Sequence, residues 1–177
     1  MKFIETELKG AYIIELEEHV DERGFFARTF CVNEFDEEGI DFNPVQRNLS
    51  YNESKNTLRG MHYQESPYEE AKMVSCVRGA MYDVIIDIRE DSTTLDKWIG
   101  VELTASNRRM LFVPKGFAHG FLTLEDDTEV SYLMSDFYKP GVGRGIKWDD
   151  PYFNIEWPTQ PEVISEKDKN WSYKHED

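Results

Sequence analysis

Cysteine is scarce in this chain, and long apolar runs are missing. The two cysteines, Cys31 and Cys76, form no C-x-x-C motif, so we expect reduced structural thiols rather than a disulfide framework or a zinc site. No apolar run approaches the roughly 20 residues of a transmembrane helix, and the N-terminal segment lacks the hydrophobic core of a signal peptide. These absences predict a cytoplasmic protein with no membrane partner.

Positive charge is also in short supply. Lys and Arg total 20 against 35 Asp and Glu, which gives a formal net charge of −15. Such a chain repels polyanions at long range, which argues against nucleic acid and anionic membranes as partners. The 40% of hydrophobic residues supply enough apolar area for a folded core. Because no repeat or linker interrupts the sequence, we expect residues 1–177 to form a single domain.

Short β-like segments between turn residues dominate the pattern. Helical pattern is confined to "VNEFDEEGI", which would end at Gly39, and to "SEKDKNW", which would begin near Ser165. We therefore predict an all-β fold, a jelly-roll sandwich or barrel with a few short helices, which places functional side chains inside a lined cavity. The predicted strands lie in the segments "AYIIELEEH", "AKMVSCVRGAMYDVIIDIRE", "WIGVELTAS", "RMLFVPKGF", "AHGFLTLEDD" and "EVSYLMSDFY".

The segment "MYDVIIDI" alternates with period two. One face, with Tyr82, Val84 and Ile86, is core-like. The other carries the carboxylates of Asp83 and Asp87. This register aims Asp83 at the predicted cavity.

Part of a metal-binding cupin signature is present, but two of its four ligands are not. A cupin metal site needs imidazoles and a carboxylate, because these groups offer lone pairs to the ion. Gln64 stands where a second histidine belongs and Lys72 where a glutamate belongs, and an ammonium would repel a divalent cation. We therefore predict no metal. The positions that do agree with the cupin signature are His62, Gly79, Pro114, Gly116 and His119.

What remains is a set of groups suited to acid–base chemistry. A neutral histidine is a natural base near pH 7, a lysine or arginine can stabilise an oxyanion, and a tyrosine hydroxyl can return a proton. Taken alone, His62 is more simply a packed or surface histidine. A catalytic role for His62 is therefore inferred only from its combination with the lysine, arginine and tyrosine groups.

Across nearly its whole length the chain resembles the dTDP-4-dehydrorhamnose 3,5-epimerase family. The resemblance implies a cupin jelly roll, no cofactor, a homodimer with strand exchange, and a nucleotide-sugar substrate. It also implies an isomerase of bacterial deoxysugar synthesis that acts between a 4,6-dehydratase and a 4-ketoreductase. The motifs that carry it, in order, are "DERGFFARTF", "QRNLSYNESKNTLRGMHYQ", "AKMVSCVRGAMYDVIIDIRE", "PKGFAHGF", "SYLMSDFY", "GIKWDDPYFNIEWP" and "ISEKD".

The resemblance also implies roles for individual residues. The base matches His62, oriented by a carboxylate at Asp168, with Asp83 as second choice. The acid matches Tyr132, and Lys72 matches a lysine beside the sugar's 4-keto oxygen. The implied substrate-binding residues are Arg23, Gln46, Asn48, Arg59, His119 and Tyr138, the last stacking on the base.

Several of these residues have simpler explanations. Arg23 would suit a turn with a surface ion pair, and Lys72 could extend to solvent. Tyr132 and Tyr138, six residues apart, would share one face of a single strand and could merely pack. The tryptophans Trp148, Trp157 and Trp171 would close the core or a dimer contact.

Two positions depart from the family pattern: Arg28 and Gly143 stand where glutamates are usual. The resemblance places both near the nucleotide, so CDP, UDP or GDP is an alternative to dTDP. Epimerisation at C3, at C5 or at both carbons also stays open. Two other classes compete with an epimerase: a metal-dependent cupin, and a cupin that binds sugar nucleotides without chemistry.

Overall fold

The computed structural model describes residues 1–175 as two β-sheets that pack face to face, with a separate hairpin and two short helices. The helices are α1 (Val32–Glu37) and α2 (Glu166–Lys169). In chain order the strands are β1 (Lys2–Glu5), β2 (Tyr12–Glu15), β3 (His19–Asp21), β4 (Gly24–Phe26), β5 (Gln46–Asn52), β6 (Thr57–Gln64), β7 (Lys72–Arg78), β8 (Ala80–Asp87), β9 (Trp98–Thr104), β10 (Met110–Val113), β11 (Phe117–Thr123), β12 (Thr128–Met134), β13 (Gly143–Gly145) and β14 (Val163–Ile164).

Strand order shows the crossovers of a jelly roll. The first sheet runs β1-β2-β10-β7-β12-β5, and the second runs β13-β6-β11-β8-β9 with β14 added parallel to β6. Strands β3 and β4 form a hairpin outside both sheets. The predicted all-β jelly roll is therefore confirmed.

Apolar side chains from both sheets fill the space between them. Val74 and Leu111 of the first sheet share one buried cluster with Met81, Ile85 and Phe121 of the second. A second cluster lies where α1 covers the first sheet, and a third lies where the segment before β14 covers the second. The second sheet is therefore buried on both faces.

Strand β8 shows the consequence. Val84 and Ile86, on the face predicted to be core-like, are fully buried and belong to the third cluster. The carboxylate face is buried as well, because it points between the sheets: Asp83 and Asp87 have no exposed area. The pattern gave the register correctly, but it did not show that both faces are core.

Both helices agree with the sequence prediction. Helix α1 ends at Glu37, shortly before Gly39, whose φ of +73° suits a chain reversal after a helix. Ser165 caps α2, because its hydroxyl accepts a hydrogen bond from the backbone N–H of Asp168 at 3.1 Å. Within residues 1–175, neither helix is long and apolar enough to cross a bilayer.

The two cysteines are free. Cys76 is buried, and this burial raises the pKa of its thiol to about 11. It is protonated at neutral pH, in keeping with a structural thiol.

Candidate active site

A cavity of about 660 Å³ opens between residues of both sheets and α2. Each wall contributes polar groups from different strands: β6 and β11 on the second sheet, β5, β7 and β12 on the first. Of the predicted site residues, those that line it are Asn48, Arg59, His62, Lys72, His119, Tyr132, Tyr138 and Asp168.

His62 and Asp168 form a hydrogen-bonded pair at the cavity wall. The distance from His62 Nε2 to Asp168 Oδ1 is 2.6 Å, and the side chain of Asp168 is 5% exposed against 42% for His62. Burial acts to raise the pKa of Asp168, but the hydrogen bond and charge of His62 and donors from Gly60 and Trp171 outweigh it, so this pKa is lowered. An ionised carboxylate therefore orients the ring and leaves its other nitrogen available.

Short local contacts bring Asp168 to His62 across a large sequence distance. Strand β14 pairs in parallel with the start of β6, with Ile164 opposite Leu58. Helix α2 begins directly after β14, and its cap at Ser165 fixes the first turn. Asp168 then also accepts a hydrogen bond from the backbone N–H of Gly60 at 3.3 Å. The parallel pairing therefore sets which carboxylate meets the histidine.

A second histidine–carboxylate pair lies deeper in the second sheet. His119 Nε2 is 2.6 Å from Asp83 Oδ1, and the side chains are 6% and 0% exposed. The second-choice assignment of Asp83 to His62 is therefore wrong: Asp83 on β8 faces β11, whereas β14 and α2 deliver Asp168 to β6.

Tyr132 enters the cavity from the opposite sheet. Its ring meets the ring of His119 edge-on, with 6.2 Å between centroids. Burial raises the pKa of Tyr132 strongly, and the charge of Asp83 adds to this, while Arg59 and Ser50 oppose it. The phenol is thus protonated at neutral pH, as a proton donor must be before it reacts.

Lys72 and Gln64 stand at the two positions where a metal-binding cupin has ligands, and both contact the carboxylate of Glu70. Lys72 Nζ is 3.2 Å from Glu70 Oε1, and Gln64 donates to Glu70 Oε2 at 2.9 Å. Gln64 also donates to the carbonyl of Tyr68 and accepts from the N–H of Lys139. Lys72 is 6% exposed, so it does not extend to solvent. No group of three or more His, Cys, Asp or Glu suited to a metal ion occurs in residues 1–175.

Arg59 is held beside the two pairs. Its Nε donates to Asn52 Oδ1 at 2.7 Å and its Nη2 to the carbonyl of Tyr51 at 3.3 Å. Strands β6 and β11 approach unusually closely here: a Cβ on Gly120 would lie 2.6 Å from Met61 Sδ and 2.8 Å from Arg59 O. Only glycine permits this approach.

The residues expected to bind the nucleotide do not all line the cavity: Asn48 and Tyr138 do, but Gln46 and Arg23 do not. The side-chain amide of Gln46 donates to Asn48 Oδ1 at 3.0 Å, and Gln46 Oε1 accepts from the backbone N–H of Tyr138 at 3.4 Å. Tyr138 is 66% exposed and lies beyond the end of β12, so it shares no strand face with Tyr132. Arg23 sits at the tip of the β3–β4 hairpin, pairs with Asp21 and does not line the cavity.

The two departures from the family pattern differ in position. Arg28 donates to Glu34 at 2.7 Å on the surface and does not line the cavity of its own chain. Gly143 on β13 does line it, and a Cβ built there meets nothing within 4 Å. The missing side chain therefore leaves open space at the rim.

Sequence reasoning missed Trp171 and Lys167. The sequence predicts that Trp171 closes the core or a dimer contact, but its Nε1 donates to Asp168 Oδ1 at 3.2 Å and its ring lies edge-on to His62. Lys167 lines the cavity and lies over the Trp171 ring at 5.2 Å. A signal for both was present in the sequence. Lys167 lies one residue before Asp168 and Trp171 three residues after it in a segment predicted to be helical, so both are expected near the same helix end as Asp168.

The jelly roll and its paired acid–base groups define a cupin-type isomerase site. The family model described as dTDP-4-dehydrorhamnose 3,5-epimerase matches residues 5–176. The chain belongs to this family.

Individual relatives agree. A dTDP-4-dehydrorhamnose 3,5-epimerase from Shigella flexneri is 46% identical over 171 residues, covering 96% of this chain and 94% of that one. The crystal structure of the Bacillus anthracis enzyme of that name, with TDP and PPi bound, superposes with a TM-score of 0.94 at 38% identity, covering 97% and 98%. A Legionella pneumophila epimerase in complex with dTDP-4-keto-L-rhamnose gives 0.88 at 40% identity, covering 94% and 89%.

Proposed function

We propose that this protein epimerises C3 and C5 of dTDP-4-dehydro-6-deoxy-D-glucose to give dTDP-4-dehydro-L-rhamnose. The observation that carries the proposal is the position of two proton-transfer groups, His62 and Tyr132, on opposing sheets around one cavity. Inversion of a carbon beside a ketone requires a base on one face and an acid on the other. The ligands named for the related structures support the choice of substrate.

His62 removes the proton. A proton beside a ketone is only weakly acidic, so the base must be neutral, oriented and close to the carbon. The ionised Asp168 fixes the ring through Nε2 and stabilises the imidazolium that forms. The product of this step is an enolate with its charge on the 4-keto oxygen.

Cationic groups of the cavity wall stabilise that enolate. Lys72 has almost no exposure, and Arg59 is fixed by Asn52. Donors that are already oriented stabilise a developing oxyanion strongly, because little reorganisation is needed. We assign Lys72 to the 4-keto oxygen, with Arg59 and His119 completing the donor set.

Tyr132 returns a proton from the opposite sheet. Its raised pKa keeps the hydroxyl protonated until the enolate forms. Donation from this side inverts the carbon, and the sequence of steps at C3 and C5 needs no redox cofactor.

The nucleotide lies towards the outer part of the cavity in this proposal. Gln46 and Asn48 present amide groups to the nucleobase, and the exposed ring of Tyr138 stacks on it. The open rim at Gly143 motivates the alternative that CDP, UDP or GDP replaces dTDP.

The deciding experiment incubates the enzyme with dTDP-, CDP-, UDP- and GDP-linked 4-keto-6-deoxyhexoses in D2O and follows them by NMR. We expect deuterium at C3 and C5 and inverted ring couplings with the dTDP sugar. Deuterium exchange confined to C3 or to C5 would show that the enzyme epimerises only that carbon. Preference for another nucleotide would replace dTDP in the proposed substrate. No exchange with any sugar would indicate a binding protein.

The same assay distinguishes a metal-dependent cupin. We expect activity to persist after exhaustive chelation, because Lys72 occupies the position of a metal ligand. Activity lost on chelation and restored by one specific ion would overturn this prediction.

The proposed assembly is a homodimer in which the β3–β4 hairpin crosses to the partner. Val20 and Phe26 on this hairpin are 74% and 75% exposed, and Arg23 does not reach the cavity of its own chain. Apolar side chains exposed together favour an interface. The proposed compartment is the cytoplasm, supported by the two free thiols, and cell fractionation tests it.

A mixture of two inactive variants tests whether the β3–β4 hairpin crosses between subunits. In a mixed dimer of Arg23→Ala and His62→Ala subunits, a crossing hairpin restores one complete site, because the intact Arg23 and intact His62 then meet. We expect activity to return after co-refolding. A monomer in sedimentation velocity, or no recovery in mixed dimers, would contradict the arrangement.

A further inference from the structure

Asp83 is a buried carboxylate that uses only part of its bonding capacity. It has no exposed area, and Oδ1 meets His119 Nε2 at 2.6 Å. Within residues 1–175, Asp83 Oδ2 is the one fully buried side-chain nitrogen or oxygen without a hydrogen-bond partner. Such an atom costs stability and calls for an explanation.

The same strand shows that this fold can satisfy a buried aspartate. Asp87, four residues further along β8, is equally buried. Its carboxylate accepts hydrogen bonds from Arg89, Ser92 and Thr94 at 2.5 to 2.8 Å. Asp83 lies beside the cavity and has a hydrogen bond to His119 alone. Its shortage of hydrogen-bond partners is therefore a local property of the site and not of the strand.

We propose that Asp83 is a positioning residue for the epimerisation: it keeps a proton on His119 Nδ1, so that this atom acts as a hydrogen-bond donor to the enolate. The inference rests on the proposed function. It assigns Asp83 a role through His119, separate from the role of Asp168 through His62.

The net charge of the buried pair determines how many protons it holds. If His119 were neutral with its proton on Nε2, the pair would carry a negative charge in a buried site while Asp83 Oδ2 accepts no hydrogen bond, which is unfavourable. A pair that holds one more proton is neutral overall. Whether this proton resides on Asp83 or on His119 Nε2, His119 Nδ1 then carries a hydrogen. Burial of Asp83 therefore turns Nδ1 from an acceptor into a donor.

The geometry directs this donor to the cavity. His119 lines the cavity, and its ring is bound to Asp83 through Nε2. Nδ1 makes no hydrogen bond to another described residue, and it is not among the fully buried atoms without a partner. Its remaining access is therefore on the cavity side. An acceptor at this point would repel the enolate oxygen, whereas a donor stabilises it.

Asp83→Asn is the direct test, because the amide keeps the shape and can accept from Nε2 but needs no positive partner. We expect kcat to fall about 10²-fold, as for loss of one oxyanion donor, with KM little changed. In protein labelled with ¹⁵N-histidine, Nδ1 of His119 should be protonated at pH 7.5 in the wild type and unprotonated in the variant. Loss of the signal in His119→Gln assigns it.

Asp87→Asn is the matched control, since it alters an equally buried aspartate on the same strand outside the cavity. It should lower stability yet leave kcat and the His119 signal as in the wild type. An unprotonated Nδ1 in the wild type overturns the inference, and this arm needs no variant. A wild-type kcat in a folded Asp83→Asn protein overturns it too. If the wild type inverts no sugar, the proposed function fails, and the signal still tests the Asp83–His119 pair.

Discussion

Gln64 and Lys72 illustrate how single side chains determine the chemistry of a jelly-roll cavity. At positions where a metal-binding cupin has two ligands, this chain has an amide whose groups are all hydrogen-bonded and an ammonium paired with Glu70. The ammonium has no lone pair for a cation, and the amide oxygen already accepts a hydrogen bond from the N–H of Lys139. The cavity instead holds two histidine–carboxylate pairs, His62 with Asp168 and His119 with Asp83.

The division of labour between His62 and Tyr132 can be tested by separating exchange from inversion. His62→Ala should lower kcat by about 10²–10⁴, the usual contribution of a general base, and solvent exchange should fall with it. Tyr132→Phe removes only the hydroxyl, so the substrate should still exchange C–H for deuterium but form little inverted product. NMR of one substrate in D2O gives both quantities.

Tyr82→Phe is the control for this pair. Tyr82 is a partly buried tyrosine that packs against Trp157 outside the cavity, so losing its hydroxyl should change neither exchange nor inversion. The two-face mechanism would have to be abandoned if Tyr132→Phe lost exchange as completely as His62→Ala.

At the scale of elements, the close approach of β6 and β11 positions most of the site. Arg59 and His62 lie on β6 and His119 lies on β11, with His119 directly opposite His62 in the register. The approach depends on Gly60 and Gly120: a Cβ on Gly60 would lie 2.5 Å from the Cα of Gly120. These glycines therefore set the spacing between Arg59 and His62 on one strand and His119 on the other.

We predict that Gly120→Ala separates the two strands. The added methyl group would overlap Met61 Sδ and Arg59 O, and overpacking of this kind costs about 1–3 kcal/mol. Urea denaturation should report that loss. The activity per folded molecule should also fall, because Arg59 and His62 move relative to His119.

Gly143→Ala provides the comparison for stability. A Cβ there meets nothing within 4 Å, so the free energy of unfolding should stay within about 0.5 kcal/mol of the wild type, as for surface changes. Equal stability losses in both variants would show that the close approach at Gly120 is not the cause.

For the molecule as a whole, acid stability should depend visibly on one buried aspartate despite the net charge of −15. Burial acts to raise the pKa of Asp87, but hydrogen bonds from Arg89, Ser92 and Thr94 outweigh it and lower this pKa from 3.8 to about 2. Because the folded pKa is depressed, the stabilisation is present above pH 3.8 and is lost as the pH falls through about 2. It amounts to about 2 kcal/mol.

Asp87→Asn tests this prediction. Breaking the buried pair should reduce the free energy of unfolding at neutral pH by about 3 kcal/mol. Between about pH 4 and pH 2 the difference between wild type and variant should shrink by about 2 kcal/mol, because the wild type loses its ionised carboxylate. The other acids titrate in both proteins and cancel in the comparison. A difference that stays constant with pH would assign the loss to packing alone.

Sequence pattern alone determined several local features. Period-two alternation gave the register of β8, Ser165 and Gly39 marked the helix ends, and the residue types at 62, 64 and 72 argued against a metal. Such features depend on interactions between residues close in sequence, or on the chemistry of one side chain, so they can be read without the fold. The family motifs added His62, Tyr132 and Asp168 to one site.

Only the tertiary structure decided which of these groups meet. Asp83 and Asp168 were both candidates for His62, and the pairing of β14 with β6 and of β8 with β11 gave one carboxylate to each histidine. The same packing brought Trp171 to Asp168, and it placed Arg23 away from the cavity of its own chain. These contacts join residues distant in sequence, and their register is set by strand pairing and core packing across two sheets, which no local pattern encodes.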